Sequence, residues 1–312
     1  MIQYFKNIDG QTVEIDKAET GVWVNLVPPF KDEEFIELSM ALDIPIEFLR
    51  DSLDIDERSR YELEDAVKFI VIKTPTENNS FNDSDAYYIT IPICIILTHE
   101  HIITVNSFDN GAIKKFLSTF IKRHPDKRNM MVLKIFEKVV QTYLETLKEI
   151  NSRRNQYEQS LYAGHNNGDL LRLMRIQKSL VHMVTALRSN ELLMMKLDRA
   201  NMLQLNDEEK EFLQDLIVDT SQALEMANTY TNILSSTLDA FASMVNNNLN
   251  KVMKLLTSIV IIISLPALVV GAYAINNSGA GPHFSLTAYA AIGFSLIVSC
   301  AVAWYFMKKK WF

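Results

Sequence analysis

From Asp239 to Ser264 the chain places small or polar side chains at alternating steps of four and three: Asp239, Ser243, Asn246, Asn250, Met253, Thr257, Val260 and Ser264. The adjacent seam, Ala242, Val245, Leu249, Val252, Leu256, Ile259 and Ile263, is apolar. A polar seam beside an apolar one, at a period of 3.5, suits a helix that packs against copies of itself around a wet axis. Beyond Asp239 the groups on this seam are hydroxyl, amide and thioether, without charge. They suit a cation that keeps its water shell, and a small, strongly hydrated ion such as Mg²⁺ dehydrates reluctantly. Rings of Met253 and Leu256 would form an apolar neck that gates by dewetting. The bland alternative is a simple membrane anchor, in which Thr257 and Ser264 only bond back to their own helix.

These residues need a helix that enters a bilayer. Between Lys254 and Lys308 lie 53 residues without Asp, Glu, Lys or Arg. Two apolar segments occupy this gap, Leu255 to Tyr273 and Leu286 to Met307, each with the roughly 20 residues that cross a ~30 Å hydrocarbon core. Their connection, AINNSGAGPHFS, is short, and His283 is its one titratable side chain. Lys251 and Lys254 precede the first segment and Lys308, Lys309 and Lys310 follow the second. The positive-inside rule then puts both termini in the cytoplasm. Pro266 frees a backbone carbonyl within the first span, and in a bundle that carbonyl can face water. Two spans cannot enclose an aqueous path, so several copies of the chain must contribute.

The soluble remainder is acidic, since the net charge is −7 and the hairpin is neutral. That disfavours nucleic acid as a partner and favours cations. Cys94 and Cys300 read as reduced packing residues. MIQYFKNIDGQ has no basic stretch followed by an apolar run, so no cleavable signal peptide is expected. No phosphate-binding loop or Ser/His/Asp arrangement is present, which argues against an enzyme and against ATP-driven pumping. His99 and His101 fall in a turn between β-rich runs and read as hairpin residues.

Three parts emerge: a cytosolic α/β domain over residues 1–126, a long-helix stalk over 127–250, and a two-helix pore over 251–312. In the first, Val22–Val27, Lys68–Lys73, Tyr87–Leu97 and His101–Val105 read as strands. Pro28-Pro29 closes the first of these and Glu77–Asp85 is turn-forming. Asp32–Leu42 and Pro45–Leu53 read as helices. Alternation of strands and helices predicts a sheet covered on at least part of both faces. In the stalk, helical periodicity runs from Asn129 to about Ala163 and from Asp169 to about Leu205, with a turn at Gly164–Gly168. Asn206 followed by Asp207, Glu208 and Glu209 is a helix start. No Gly or Pro then occurs until Pro266, so one helix of about 100 Å would enter the membrane.

The chain resembles the CorA family of divalent-cation channels over nearly its whole length. The residues that carry this are Tyr273-Ala274-Ile275-Asn276, where the family has Tyr-Gly-Met-Asn, the approach Asn250–Thr257, and the tail Lys308–Phe312. In the soluble part they are Ile44–Leu53, Glu57–Arg60 and Glu62–Asp65. The resemblance implies a funnel-shaped homopentamer in the cell membrane, with the first span lining a pore and Mg²⁺ entering passively. It implies that Asn276 forms an outer ring binding hydrated Mg²⁺, with Tyr273, Ala274 and Ile275 completing the filter. It also implies that Asp51 meets Asp239 of a neighbouring subunit and that regulatory Mg²⁺ there holds the channel closed. The chain departs from the family at Ala274 and Ile275, and Arg50 stands where an acid is frequent. Ala274 restricts a backbone that Gly leaves free, and Ile275 is stiffer than Met. Zinc transporters of the ZntB type carry similar variants, so Zn²⁺ transport, with or without proton coupling, is the alternative, and Co²⁺ or Ni²⁺ are further candidate ions.

Overall fold

The computed structural model describes residues 2–8, 11–16, 22–26, 32–78, 85–106, 128–162, 168–276 and 286–309. His283, Pro28-Pro29, Lys310 to Phe312 and most of the two predicted turns lie outside them. The chain divides into two units, Met1–Ser235 and Ser236–Phe312.

The first unit is built on a seven-stranded sheet in the order β2-β1-β3-β7-β6-β5-β4. Its strands are β1 (Ile2–Ile8), β2 (Gln11–Ile15), β3 (Trp23–Leu26), β4 (Arg60–Glu64), β5 (Val67–Glu77), β6 (Tyr88–Leu97) and β7 (Ile102–Asn106). β3 and β7 pair in parallel, and every other pair is antiparallel. The sheet is therefore mixed rather than the parallel sheet of repeated βαβ units. β5 and β6 form its longest pair, a hairpin lying between the central β7 and the edge strand β4, with Val71 opposite Cys94. Both are nearly continuous apolar runs, as strands covered on both faces must be.

One face carries α1 (Asp32–Leu42) and α2 (Ile46–Asp51). Phe35, Leu38, Leu42, Phe48 and Leu49 join Val24, Leu26, Phe69, Val71, Cys94, Ile96 and Ile103 in a single core. Phe48 stacks on Phe69 at 4.5 Å. Burial pushes the Cys94 thiol up to about 12, so it is an inert packing group. Toward β1 the sheet carries a polar ladder. Trp23 Nε1 donates to Thr104 Oγ1 (2.9 Å), Thr104 to Asn25 Oδ1 (3.0 Å), and Asn25 Nδ2 to Gln3 Oε1 (3.3 Å).

The other side of β5 and β6 is met by α3 (Arg128–Tyr162) and α4 (Gly168–Ala200), which also pack on each other. β4 pairs with β5 only as far as Val71, which leaves the edge of β5 open from Lys73 onward. Asn190 of α4, 1% exposed, closes that edge. Its Oδ1 accepts from Lys73 N (3.0 Å) and Ser59 Oγ (2.7 Å), and its Nδ2 donates to Lys73 O (2.8 Å). Tyr143 of α3 also donates to Lys73 O (3.1 Å).

α4 ends at Ala200, short of the predicted Leu205, because Asn201 and Gln204 take positive φ (41° and 55°). The next start is a capping box. Glu209 N donates to Asn206 Oδ1 (2.8 Å) and Asn206 N to Glu209 Oε2 (3.1 Å). From it runs α5 (Asp207–Asn276), a helix of 70 residues, about 105 Å long. In the first unit α5 buries Leu213, Leu216, Thr220, Ala223, Ala227 and Leu234, and Thr220 lies 3.6 Å from the Met194 sulfur of α4. The second unit holds the rest of α5 and α6 (Leu286–Lys308). Both helices are long and apolar enough to cross a membrane.

Candidate ion pathway

In the second unit the burial of α5 changes abruptly. Every residue from Ala242 to Thr257 is exposed, a run of sixteen. Asn246, Asn250, Met253, Leu256, Thr257, Val260 and Ser264, the expected lining, are all exposed. The apolar seam is exposed as well, with Leu249 at 57%, Val252 at 60% and Ile263 at 66%. The buried positions of this unit include three serines, Ser258, Ser295 and Ser299. Ser258 donates to Lys254 O (2.7 Å) and Ser295 to Ile292 O (2.8 Å), so these two hydroxyls are satisfied within their own helices, whereas the buried Ser299 hydroxyl has no hydrogen-bond partner among the described residues. Small side chains of this kind let membrane helices approach closely. Ser258 lies one residue from the predicted seam and was not assigned a role by its spacing.

The four residues at the outer end are the last of α5. Tyr273 is half-buried, Ala274 exposed and Ile275 79% exposed; Asn276 is the terminal helical residue. Residue 274 is thus helical, with no tight turn there. The added methyl of Ala costs nothing in a helix interior. Aromatic residues stand near both ends of the hairpin. Tyr273 and Tyr289 lie at one end and Trp304 and Tyr305 at the other, where Lys308 Nζ sits 5.2 Å from the Trp304 ring. Such residues favour the headgroup level of a bilayer.

The two predicted regulatory acids fall in different units. Asp239 is exposed on α5. Asp51, the last residue of α2, is held by Arg60: Nη2 donates to Asp51 Oδ2 at 2.7 Å. The same guanidinium bonds Glu57, and through Nε it bonds Glu62 at 2.9 Å. It also lies 5.3 Å from the Phe69 ring. Burial works against its charge, but the bonds to Glu57 and Asp51 outweigh this and hold its pKa above the usual value. In the sequence Arg60 stands only within the Glu57–Arg60 motif, and nothing local signals that three carboxylates converge on it. Among the described residues no group of three or more His, Cys, Asp and Glu side chains forms a metal site. Within one chain Asp51 is paired with Arg60.

His99 and His101 lie in the β6–β7 hairpin, as predicted. Thr98 N donates to His101 O (3.0 Å) and His101 N to Thr98 Oγ1 (2.9 Å). Burial lowers the His101 pKa.

The fold thus combines a helix-covered mixed sheet with a helix of 70 residues that runs on into the first of two apolar helices long enough to cross a membrane. The chain belongs to the CorA-like Mg²⁺ transporter family, whose model matches residues 18–310. It is 26% identical over 260 residues to the cobalt/magnesium transport protein CorA of Methanocaldococcus jannaschii, covering 82% of this chain and 80% of that protein. The complete structure of the CorA magnesium transporter from the same organism superposes with a TM-score of 0.83 at 22% identity, over 100% of this chain and 99% of that one. The cytoplasmic domain of ZntB from Vibrio parahaemolyticus shares the fold of the soluble part. Its TM-score is 0.62 at 11% identity, over 78% of this chain and 98% of that domain.

Proposed function

We propose that the chain forms a homopentameric channel for Mg²⁺ influx, lined by α5 and closed when cytosolic Mg²⁺ is high. The observation that carries this is the sixteen-residue exposed run Ala242–Thr257. It holds an apolar seam that needs cover, yet Asn246, Asn247, Asn248, Asn250 and Lys251 cannot be covered by lipid. Copies of the same helix satisfy both seams at once, with the polar one turned to water. The pore then offers hydroxyl, amide and thioether groups at Asn246, Asn250, Met253, Thr257 and Ser264, and Asn276 forms the outer ring with Tyr273, Ala274 and Ile275. Co²⁺ is a second cargo, by analogy with the relative from M. jannaschii. Both termini lie in the cytoplasm.

The regulatory acids are Asp51 and Asp239, contributed by neighbouring copies, and Mg²⁺ relieves their mutual repulsion. Arg60 competes with that ion for Asp51. Arg60→Gln therefore lowers the free Mg²⁺ concentration needed to protect the assembled protein from trypsin. The shift is about tenfold, since one charge-assisted bond is removed from Asp51. An unchanged protection midpoint would remove Arg60 from the regulatory path.

A second reading, Zn²⁺ transport with or without proton coupling, is favoured by Ala274 and Ile275, which are exposed at the end of α5. Flux into proteoliposomes with Mg²⁺ and Zn²⁺ in competition separates the two. For Mg²⁺ conduction, Mg²⁺ flux survives equimolar Zn²⁺ and ignores a pH gradient. Flux dominated by Zn²⁺, restored to Mg²⁺ by Ala274→Gly with Ile275→Met, would establish the second reading instead. A monomer or dimer by native mass measurement would exclude both.

A further inference from the structure

A cavity of about 630 Å³ opens within the unit Met1–Ser235, walled by the loop Asp56–Arg58, by Lys73 of β5, and by one face of α4 from Val181 to Leu192. Three cations, Arg58, Lys73 and Arg188, reach it against one carboxylate, Asp56. The lining side chains thus carry two more positive charges than negative, with Asp54 and Glu57, which also act on Lys73, outside the lining. None of the three cations lies in a salt bridge among the described residues, whose ion pairs use other side chains.

The site is also built rather than incidental. Asn190 and Tyr143 fix the Lys73 backbone on both its N–H and its carbonyl. The Lys73 side chain therefore leaves the sheet edge from a fixed point, and its Nζ uses one proton on Ile55 O (3.2 Å). Burial lowers the Lys73 pKa, while Asp56, Asp54 and Glu57 pull it back up. A half-buried ammonium without a salt bridge has the most to gain from an anion. Arg58 and Arg188 bring planar guanidinium forks, which match phosphate oxygens in pairs. On the helical wall Val181 and Leu192 are apolar and about half exposed, at 55% and 54%.

We propose that this cavity binds a small organic polyphosphate, its phosphates held by Lys73, Arg58 and Arg188 and its organic body laid along Val181 and Leu192. The volume lies within the range of roughly 300–1,000 Å³ that small-molecule sites occupy. The ligand class is a nucleoside polyphosphate or a compound of similar charge and bulk, and its binding would give the transporter a second cytosolic input besides the ion itself.

Calorimetric titration of the full-length protein in detergent tests this, with ATP and pyrophosphate as separate probes and a chelator present so that divalent ions take no part. Saturable binding is expected for both, tighter for ATP. Lys73→Met and Arg188→Gln each weaken it about tenfold, and Lys73→Arg retains it. Arg188 is exposed on α4, so its variant carries the test even if Lys73→Met does not fold. Absence of saturable heat at millimolar probe overturns the proposal, as does wild-type affinity in the Arg188→Gln variant. Equal affinity for ATP and pyrophosphate overturns the role of the Val181–Leu192 wall and with it the organic ligand.

Discussion

Asn276→Ala is expected to abolish Mg²⁺ uptake by proteoliposomes while leaving the protein assembled. Asn276 is the last residue of α5 and stands beyond the final apolar turn of the first span. Its carboxamide oxygen can accept a hydrogen bond from water on an incoming ion, and a symmetric assembly repeats that acceptor around the axis. Each such bond to a polarised water is worth about 1 kcal/mol. Losing one from every copy lowers flux by about 100-fold or more. Asn276→Gln keeps the amide on a longer, floppier stem and retains partial activity. Flux measured with a Mg²⁺-sensitive dye distinguishes the outcomes, and wild-type flux in Asn276→Ala would remove the residue from the filter.

The largest expected effect on stability is at Asn190. Its side chain replaces the missing strand along the edge of β5, and Asn190→Leu strips partners from Lys73 N, Lys73 O and Ser59 Oγ. The site is buried, so these groups are left largely dry. The carbonyl keeps its bond from Tyr143, which makes the amide the main casualty. We expect a loss of about 3 kcal/mol, which lowers the melting temperature by about 6–12 °C for a unit of this size. Thermal unfolding followed by circular dichroism measures it. A drop below about 2 °C would mean that water takes over the edge of β5. The same substitution loosens Lys73, so polyphosphate affinity falls with it.

Where sequence and fold agree, the reason is that the signals are local. Asn206 and Glu209 spell a capping box, and the helix starts there. Phe69–Ile72 of β5 and Ile91–Leu97 of β6 are apolar β-rich runs, and both lie in strands. The elements missed are those whose stability comes from neighbours. β4 reads Arg-Tyr-Glu-Leu-Glu, an exposed edge with no apolar stripe, and its turn into β5 uses Asp65 and Ala66 at positive φ (46° and 67°) rather than the usual Asn-Gly. β1 and β2 are held partly by polar pairing between Gln3, Asn25 and Glu14, which has no periodic signature. The polar seam of the proposed pathway is a local pattern of period 3.5 on one helix, and so can be read from a single chain. The ring of acids around Arg60 cannot be, because it is assembled from a helix end, a loop and a strand.

The stretch of 53 residues without Asp, Glu, Lys or Arg has a consequence for electrical behaviour. A membrane field does work only on charge that moves through it. These helices offer no side-chain charge to move, so the protein has almost no gating charge of its own. Opening should be set by ligand occupancy on the cytosolic side, and single-channel open probability should stay flat as the potential is varied. The divalent ion, by contrast, gains about 4–5 kcal/mol per 100 mV as it crosses. In the proposed channel, voltage would thus set how fast the cargo moves through the open pore, while the pore's own equilibrium would be indifferent to it.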